Sequence, residues 1–285
     1  YFCKKLLKIM ILNIKGDILD LSSPKIMGIL NVTPDSFYDG GVFSNEKKIL
    51  HQVEKMILDG ADIIDVGGYS SKPGAETIPL KEEEKRVIPI IKLINKTFDK
   101  TVISVDTFRS EIAEKSLSEG ASIINDISGG DLDKNIYQIA NKYRAPYIMM
   151  HMKGIPLNMQ HNPKYENINY EIIKNLSLKI DSAEKKGVSD IIIDPGFGFG
   201  KTIQHNYQIL NNIKLYTVLK KPILVGVSRK SMIYKLLESD PSEALNGTTS
   251  LNTIALINGA NILRVHDVKE AKEVIKLYSF LKENV

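Results

Sequence analysis

The sequence predicts an α/β chain folded as a (β/α)8 TIM barrel with a short N-terminal β-hairpin. Three observations carry that expectation. Eight short apolar runs recur along 285 residues, amphipathic helix-like stretches alternate with them, and no break in composition divides the chain. A barrel of this kind takes about 250 residues, so the length suits one closed sheet better than a doubly wound open one.

The apolar runs are "KIMGIL" (25–30), "DIIDVG" (62–67), "TVISVD" (101–106), "ASIINDI" (121–127), "PYIMMH" (146–151), "DIIIDP" (190–195), "PILVGVS" (222–228) and "ANILRVH" (260–266). They are nearly continuous in Ile, Val, Leu and Met, as strands buried on both faces are. Ahead of them "ILNIKGDILDL" (11–21) sets Lys-Gly-Asp between apolar stretches and reads as a hairpin closing the barrel bottom. In "SNEKKILHQVEKMILDG" (44–60), Ile49, Leu50, Val53, Met56 and Ile57 share one helical face, with Ser44 expected as N-cap and Gly60 as a left-handed C-terminal cap. Stretches 109–120 and 179–187 also end in glycine, and 267–284 forms a last helix with Asp267 expected as N-cap. One domain is expected over 10–285. Residues 1–9 read as an extension outside the core, with Met10 as an internal start.

Composition excludes several classes of function. The net charge is 38 − 34 = +4, spread along the chain, without the basic stripe that nucleic-acid binding needs. No apolar run approaches the 18 or so residues of a membrane span. The one cysteine, Cys3, can form no internal disulfide, which suits a reducing, cytoplasmic setting.

The strand ends are informative. They carry Asn31, Asp65, Asp106, Asn125 with Asp126, His151, Asp194, Ser228-Arg229-Lys230, and Arg264 with His266. One polar residue after a strand is a turn or a cap. Eight such ends predict a polar ring at the barrel top, where sites in this architecture sit. Asp106, Asn125 and Asp194 offer acceptors to a planar group with adjacent N–H donors, such as the guanidine-like edge of a pterin or purine. Lys230, Arg264 and His266 suit a phosphate or diphosphate. Two loops, "NVTPDSFYDGG" (31–41) and "GGYSSKPGAE" (67–76), read as lids over the mouth. "DPGFGFGKT" (194–202) approaches a phosphate-binding P-loop, but Pro195 stands where that motif needs its first glycine. Its glycines instead let the chain turn tightly beside a ligand, and Lys201 reads as a support next to the lids. His151 and His161 do not supply the His-x-His of a zinc-dependent barrel hydrolase.

In order along the chain stand "GILNVTPDSF", "DVGGYSSKPGA", "SVDT", "NDISGG", "DPGFGFGK", "VGVSRKSM" and "ILRVHDV". Together, from about residue 10 to the C-terminus, they resemble the dihydropteroate synthase family. The resemblance implies the barrel fold and a condensation of 6-hydroxymethyl-7,8-dihydropterin diphosphate with p-aminobenzoate, assisted by Mg2+, with diphosphate as leaving group. It implies that Asp106, Asn125, Asp194 and Lys230 hold the pterin, and that Asn31, Arg264 and His266 hold the diphosphate, with Asn31 also on the metal. It assigns Phe37, Ser71, Lys72, Pro73, Phe199 and Ser228 to the p-aminobenzoate pocket, and Asp35 to organising metal and lids. It also implies a homodimer built on barrel helices. The chain departs from the family at Tyr69-Ser70-Ser71-Lys72, where Glu-Ser-Thr-Arg is commoner, so one lid loses a methyl group and a planar cationic fork. Tyr38 stands where Ser is common, with little consequence expected. Two rival readings remain at this level: a corrinoid-type pterin-dependent methyltransferase, and a non-catalytic pterin-binding paralogue.

Overall fold

The structure, a computed structural model, describes residues 10–32, 41–69, 78–154 and 159–284, with the backbone alone for 41–45. Strands β1 (Ile11–Ile14) and β2 (Asp17–Asp20) form the expected hairpin. Its turn residues Lys15 and Gly16 both take left-handed φ, 54° and 100°, which matches the twist of a two-residue hairpin turn.

Eight parallel strands follow: β3 (Lys25–Asn31), β4 (Ile63–Gly67), β5 (Val102–Asp106), β6 (Ile123–Asp126), β7 (Tyr147–Met150), β8 (Ile191–Asp194), β9 (Leu224–Val225) and β10 (Ile262–Val265). Their order is β8-β7-β6-β5-β4-β3-β10-β9, and a parallel bridge from Ile193 to Ile223 brings the two ends together into a barrel. Around it lie α1 (Gly41–Leu58), α2 (Leu80–Thr97), α3 (Ser110–Ser118), α4 (Ile136–Tyr143), α5 (Ile168–Lys185), α6 (Ile203–Asn211), α7 (Ser231–Tyr234), α8 (Leu245–Ile257) and α9 (Val268–Glu283). Among the described residues no helix is long and apolar enough to cross a membrane.

Of two expected caps, one is displaced and the other is in place without a capping bond. Helix α1 begins at Gly41, three residues before Ser44, so Ser44 lies inside it. Asp267 does stand at the N-cap position of α9, but its carboxylate grips Arg229 at 2.7 and 2.9 Å and makes no capping bond. Gly60 does take the expected left-handed conformation after α1 (φ 100°).

Side chains alternate along a strand, and here they part into two layers. Ile26, Ile64, Ile103, Ile124, Tyr147, Ile191, Val225 and Leu263 pack outward with the helices. Their neighbours Met27, Ile63, Ile123, Ile148, Ile192, Leu224 and Ile262 point into the barrel and pack on Leu12, Ile14 and Leu21 of the hairpin segment. The hairpin therefore plugs the bottom. It is fastened there by Asn13 N–H donating to Asp190 and by the Lys15 ammonium donating to the Gly120 carbonyl at 2.7 Å. At about 25 cal/mol per Å2 of apolar area, these two layers are the main driving force for the fold.

Candidate active site

Two residues above four of the inward apolar positions, the same face of the strand turns polar. Ile63 is followed by Asp65, Ile123 by Asn125, Ile192 by Asp194 and Ile262 by Arg264. The register sets Asn31, Gly67, Asp106 and Asn125 side by side across β3 to β6. Met150 lies beside Asp194 across β7 and β8. The mouth thus carries polar groups on successive rungs above an apolar floor.

Arg264 is its centre. Its Nε donates to Asp65 Oδ2 and its Nη2 to Asp106 Oδ2, both at 2.7 Å. Asn125 Nδ2 donates to the same Asp65 oxygen at 3.0 Å. Asp65 is wholly buried, and its Oδ1 has no partner among the described residues. One guanidinium serving two buried carboxylates leaves each incompletely neutralised. Burial pushes Asp106 up to about 7, with Arg264 opposing the rise and Asp65 adding to it. Burial also raises Asp194, against the pull of Lys230, the Gly196 N–H and Lys201. Lys230 is lowered by burial to about 8, with Asp194 holding it up. The Lys230 ammonium donates to the Phe197 carbonyl at 2.5 Å and sits 4.9 Å over the Phe199 ring.

His266 and Ser228 form a second unit. His266 N–H donates to Ser228 Oγ at 3.2 Å, and the Ser228 hydroxyl lies 3.0 Å from His266 Nδ1. Burial and Arg264 lower His266 to about 4, so its ring is neutral near pH 7. In the tautomer whose Nδ1 accepts from Ser228, the proton is on Nε2 and free to donate.

Of the expected site residues, the structure brings together Asp106, Asn125, Asp194, Phe199, Ser228, Lys230, Arg264 and His266, with Asn31 on the neighbouring strand end. Asp35, Phe37, Ser71, Lys72 and Pro73 lie outside the described residues, as do Ser70 and Tyr38. Tyr69, read as the start of a lid, is buried with its ring edge-on to Phe108. The loop stems on either side of 70–77 are fastened by arginines: Arg86 donates to the Gly68 carbonyl and Arg109 to that of Ile78. Arg109 in turn pairs at 2.7 Å with Glu83, which is fully buried and accepts from Thr107.

The expected ring of eight polar ends is corrected at three places, for one reason. Asp126 and His151 sit one residue out of phase with Asn125 and Met150, so they point away from the mouth. Asp126 accepts from Ser128 N–H and Oγ, Gly130 N–H and the Tyr147 hydroxyl. His151 faces Lys201, and Arg229 is spent on Asp267. Lys201, read as a support beside the lids, is instead nearly fully buried beneath the 196–200 loop.

Asp65 stands in the polar ring that the strand ends predict, but the sequence reading gives it no role in the site. The strand runs on to Gly67, and a carboxylate in the middle of an apolar strand was the available signal. An apolar cluster of Ile127, Met150, Met152 and Met159, with Phe108 and Phe199 against it, was missed as well. It supplies a flat hydrophobic wall next to Asn125 and Asp194, the setting a planar heterocycle needs.

The pterin binding enzyme family matches over residues 27–266. Dihydropteroate synthase of Escherichia coli K12 is 43% identical over 265 residues, covering 92% of this chain and 93% of its own. The Synechocystis enzyme of the same name is 44% identical over 255 residues, 88% of each chain. Among solved structures, the Yersinia pestis dihydropteroate synthase in a sulfonamide drug complex superposes with TM-score 0.90 at 39% identity, covering 96% of this chain and all of the other. The Xanthomonas albilineans enzyme with 4-aminobenzoic acid gives TM-score 0.89 at 34% identity, over 96% and 98%. The chain belongs to the pterin-binding enzymes and, within them, to the dihydropteroate synthase family of folate-synthesis transferases.

Proposed function

We propose that the barrel mouth binds 6-hydroxymethyl-7,8-dihydropterin diphosphate and joins its methylene carbon to the amine of p-aminobenzoate, releasing diphosphate and 7,8-dihydropteroate. The observation that carries the reading is the Asp65–Arg264–Asp106 bridge beside Asn125, Asp194 and Lys230: buried carboxylates and an amide next to two cations, gathered at the barrel mouth. Asp194 and Asp106 accept from the pterin amino and ring N–H groups. Asn125 adds an amide, and Lys230 donates to the ring carbonyl and nitrogen. Arg264 and the Nε2–H of His266 meet the diphosphate, where negative charge grows as the C–O bond breaks. Asp106 and Asp194 stabilise the positive charge left on the pterin methylene. Ser228 orients His266 and keeps one lone pair for the second substrate, whose ring rests on Phe199. A neutral aromatic amine needs no strong base, which favours a dissociative path over a covalent intermediate. Asp35, Phe37, Ser71, Lys72 and Pro73 keep the lid roles that the family resemblance gives them.

Mg2+ is the metal this reading includes. A Cβ on Gly67 would meet Asp106 Oδ2 at 3.6 Å and Asn31 Oδ1 at 3.8 Å, so the Asn31 amide oxygen stands at the edge of the mouth. Mg2+ takes oxygen donors and keeps several waters, so one amide oxygen together with substrate phosphate oxygens fits it. Bound there, the ion would supply charge to the departing diphosphate.

The reading extends to a cytoplasmic homodimer. Leu215 and Val218 after α6, Ile254 and Ile257 on α8, and Leu277 and Phe280 on α9 leave large apolar side chains exposed on neighbouring elements. A second copy of the chain is the occupant that the family's helix-built dimers suggest. The deciding assay follows pyrophosphate release with pterin diphosphate, with and without p-aminobenzoate. Release that requires both supports the synthase, and its absence refutes it.

A further inference from the structure

Five consecutive residues after β8, Gly196 to Gly200, form a loop with an unusual economy: each carbonyl from Phe197 to Gly200 is taken by a side chain. Lys230 donates to the Phe197 carbonyl at 2.5 Å, Gln160 Nε2 to that of Gly198, Lys201 to that of Phe199 at 2.9 Å, and the Tyr165 hydroxyl to that of Gly200 at 2.9 Å. Asn206 Oδ1 accepts from Gly198 N–H at 2.7 Å. Gly196, Gly198 and Gly200 all have left-handed φ. At Gly196 and Gly200 a Cβ would fall 1.9 Å from the His151 carbonyl and 2.4 Å from that of Lys153. The loop is therefore pressed against the chain leaving β7 and has no slack.

Lys201 is the interior fastener of this arrangement. Its side chain is 3% exposed. Its ammonium reaches the Phe199 carbonyl (2.9 Å), His151 Nδ1 (3.1 Å) and the His151 carbonyl (3.2 Å). Those are three acceptors for the three N–H donors of an ammonium. His151 is held neutral by burial and by Lys201 itself, pushed down to about 2, which leaves Nδ1 able to accept. One side chain thus ties the residue after β7 to the backbone of Phe199, whose ring lies under the Lys230 ammonium.

We infer that Lys201 is a positioning residue for the aromatic amine substrate: it touches no reacting atom, but fixes the Phe199 wall against His151. This rests on the assignment of Phe199 to the p-aminobenzoate pocket. A buried lysine that merely stabilised the barrel would affect both substrates alike when lost. One that sets the position of Phe199 affects the amine selectively, because a wall displaced by a fraction of an ångström lowers binding and alignment at that face.

The test uses the full-length chain with Lys201→Met, which keeps length and removes the donors, and Tyr165→Phe, which removes only the bond to Gly200 from a half-buried ring. Phe199→Ala is the control for the underlying assignment. Lys201→Met is expected to raise KM for p-aminobenzoate about tenfold while changing the affinity for the pterin diphosphate by less than about threefold, and Tyr165→Phe to raise the former about threefold. A parallel rise for both substrates, or none, in folded Lys201→Met overturns the proposal. If Lys201→Met does not fold, an unchanged p-aminobenzoate KM in Tyr165→Phe overturns it. If Phe199→Ala itself leaves that KM unchanged, the pocket assignment fails, and the proposal with it. An effect of Phe199→Ala without one of Lys201→Met and Tyr165→Phe defeats the proposal alone.

Discussion

Arg264 Nε donates to Asp65 Oδ2 across 2.7 Å, from β10 to the middle of β4, and Asp65 is wholly buried. The same carboxylate oxygen accepts from Asn125. One residue therefore sets the direction of both the cation proposed for diphosphate and the amide proposed for the pterin. Asp65→Ala strands a buried guanidinium with Asp106 alone. Breaking a buried pair costs about 3–5 kcal/mol, so the variant is expected to melt earlier and to bind the pterin diphosphate poorly. Asp65→Asn keeps an acceptor and loses only charge, so it should fold nearly as well as the parent while kcat/KM falls by about tenfold or more. Denaturant titration and steady-state kinetics on both variants check this; full activity in Asp65→Asn would remove Asp65 from the site.

The same bridge predicts the pH dependence. Asp106 stands at about 7 in the free protein because burial and Asp65 outweigh Arg264, and Lys230 at about 8 because burial outweighs Asp194. In the proposed binding mode the pterin is held by ionised Asp106 and charged Lys230. As pH falls through about 7, Asp106 takes a proton and loses acceptor strength; as pH rises through about 8, Lys230 loses its charge. A narrow bell in kcat/KM for the pterin diphosphate is expected, peaking between those values. His266 contributes no limb there, since it is neutral above about 4. Asp106→Asn should remove the Asp106 part of the acid limb and leave that of Asp194, which burial also raises, and a profile flat from pH 6 to 9 in the parent would contradict the assignment.

How far the sequence could be read is clearest at the strand ends. The barrel, the hairpin plug and the identities of Asp106, Asn125, Asp194, Lys230, Arg264 and His266 were legible, since apolar runs and polar ends are properties of composition along the chain. Phase was not. Asn125 and Asp126 are adjacent and equally polar, yet one points into the mouth and the other is consumed by Ser128, Gly130 and Tyr147. His151 and Arg229 were lost to the reading in the same way. Strands buried on both faces are continuously apolar, so they lack the alternation that would reveal which positions point inward. The register across eight strands supplies it, and only pairing in three dimensions sets that register.

The glycines of "DPGFGFGKT" are not equivalent, and their cost can be separated from that of an open turn. A Cβ on Gly196 would sit 1.9 Å from the His151 carbonyl at φ 74°, whereas one on Gly16, at φ 100°, meets nothing within 4 Å. Gly16→Ala is expected to cost about 1 kcal/mol, the conformational penalty alone. Gly196→Ala adds a backbone clash that no rotamer relieves, so a loss above about 3 kcal/mol or failure to fold is expected. Chemical denaturation of the two variants measures the difference, and equal midpoints would refute the close approach.

Asp194→Ala and Arg264→Ala should separate the two halves of the bound substrate, though not symmetrically. Asp194 ends β8, accepts from Gly196 N–H at 2.7 Å and has Lys230 as its main countercharge. Its removal takes away the acceptor proposed for the pterin edge, so affinity for a pterin without diphosphate should fall below detection. Arg264→Ala should weaken diphosphate binding chiefly. Arg264 also holds Asp106 at 2.7 Å, however, and without it the burial of Asp106 goes less opposed, so that carboxyl rises further above its ordinary value. Arg264 also lowers Lys230, so its loss raises that lysine too; the variant's pH optimum for pterin binding should move to higher pH than the parent's, with less affinity near neutral pH, while diphosphate affinity stays low throughout. Calorimetric titrations of pterin, of diphosphate and of the joined substrate at pH 7 and 9 distinguish the cases. Intact diphosphate affinity in Arg264→Ala would contradict the assignment, and pterin binding retained by Asp194→Ala would remove that carboxylate from the site.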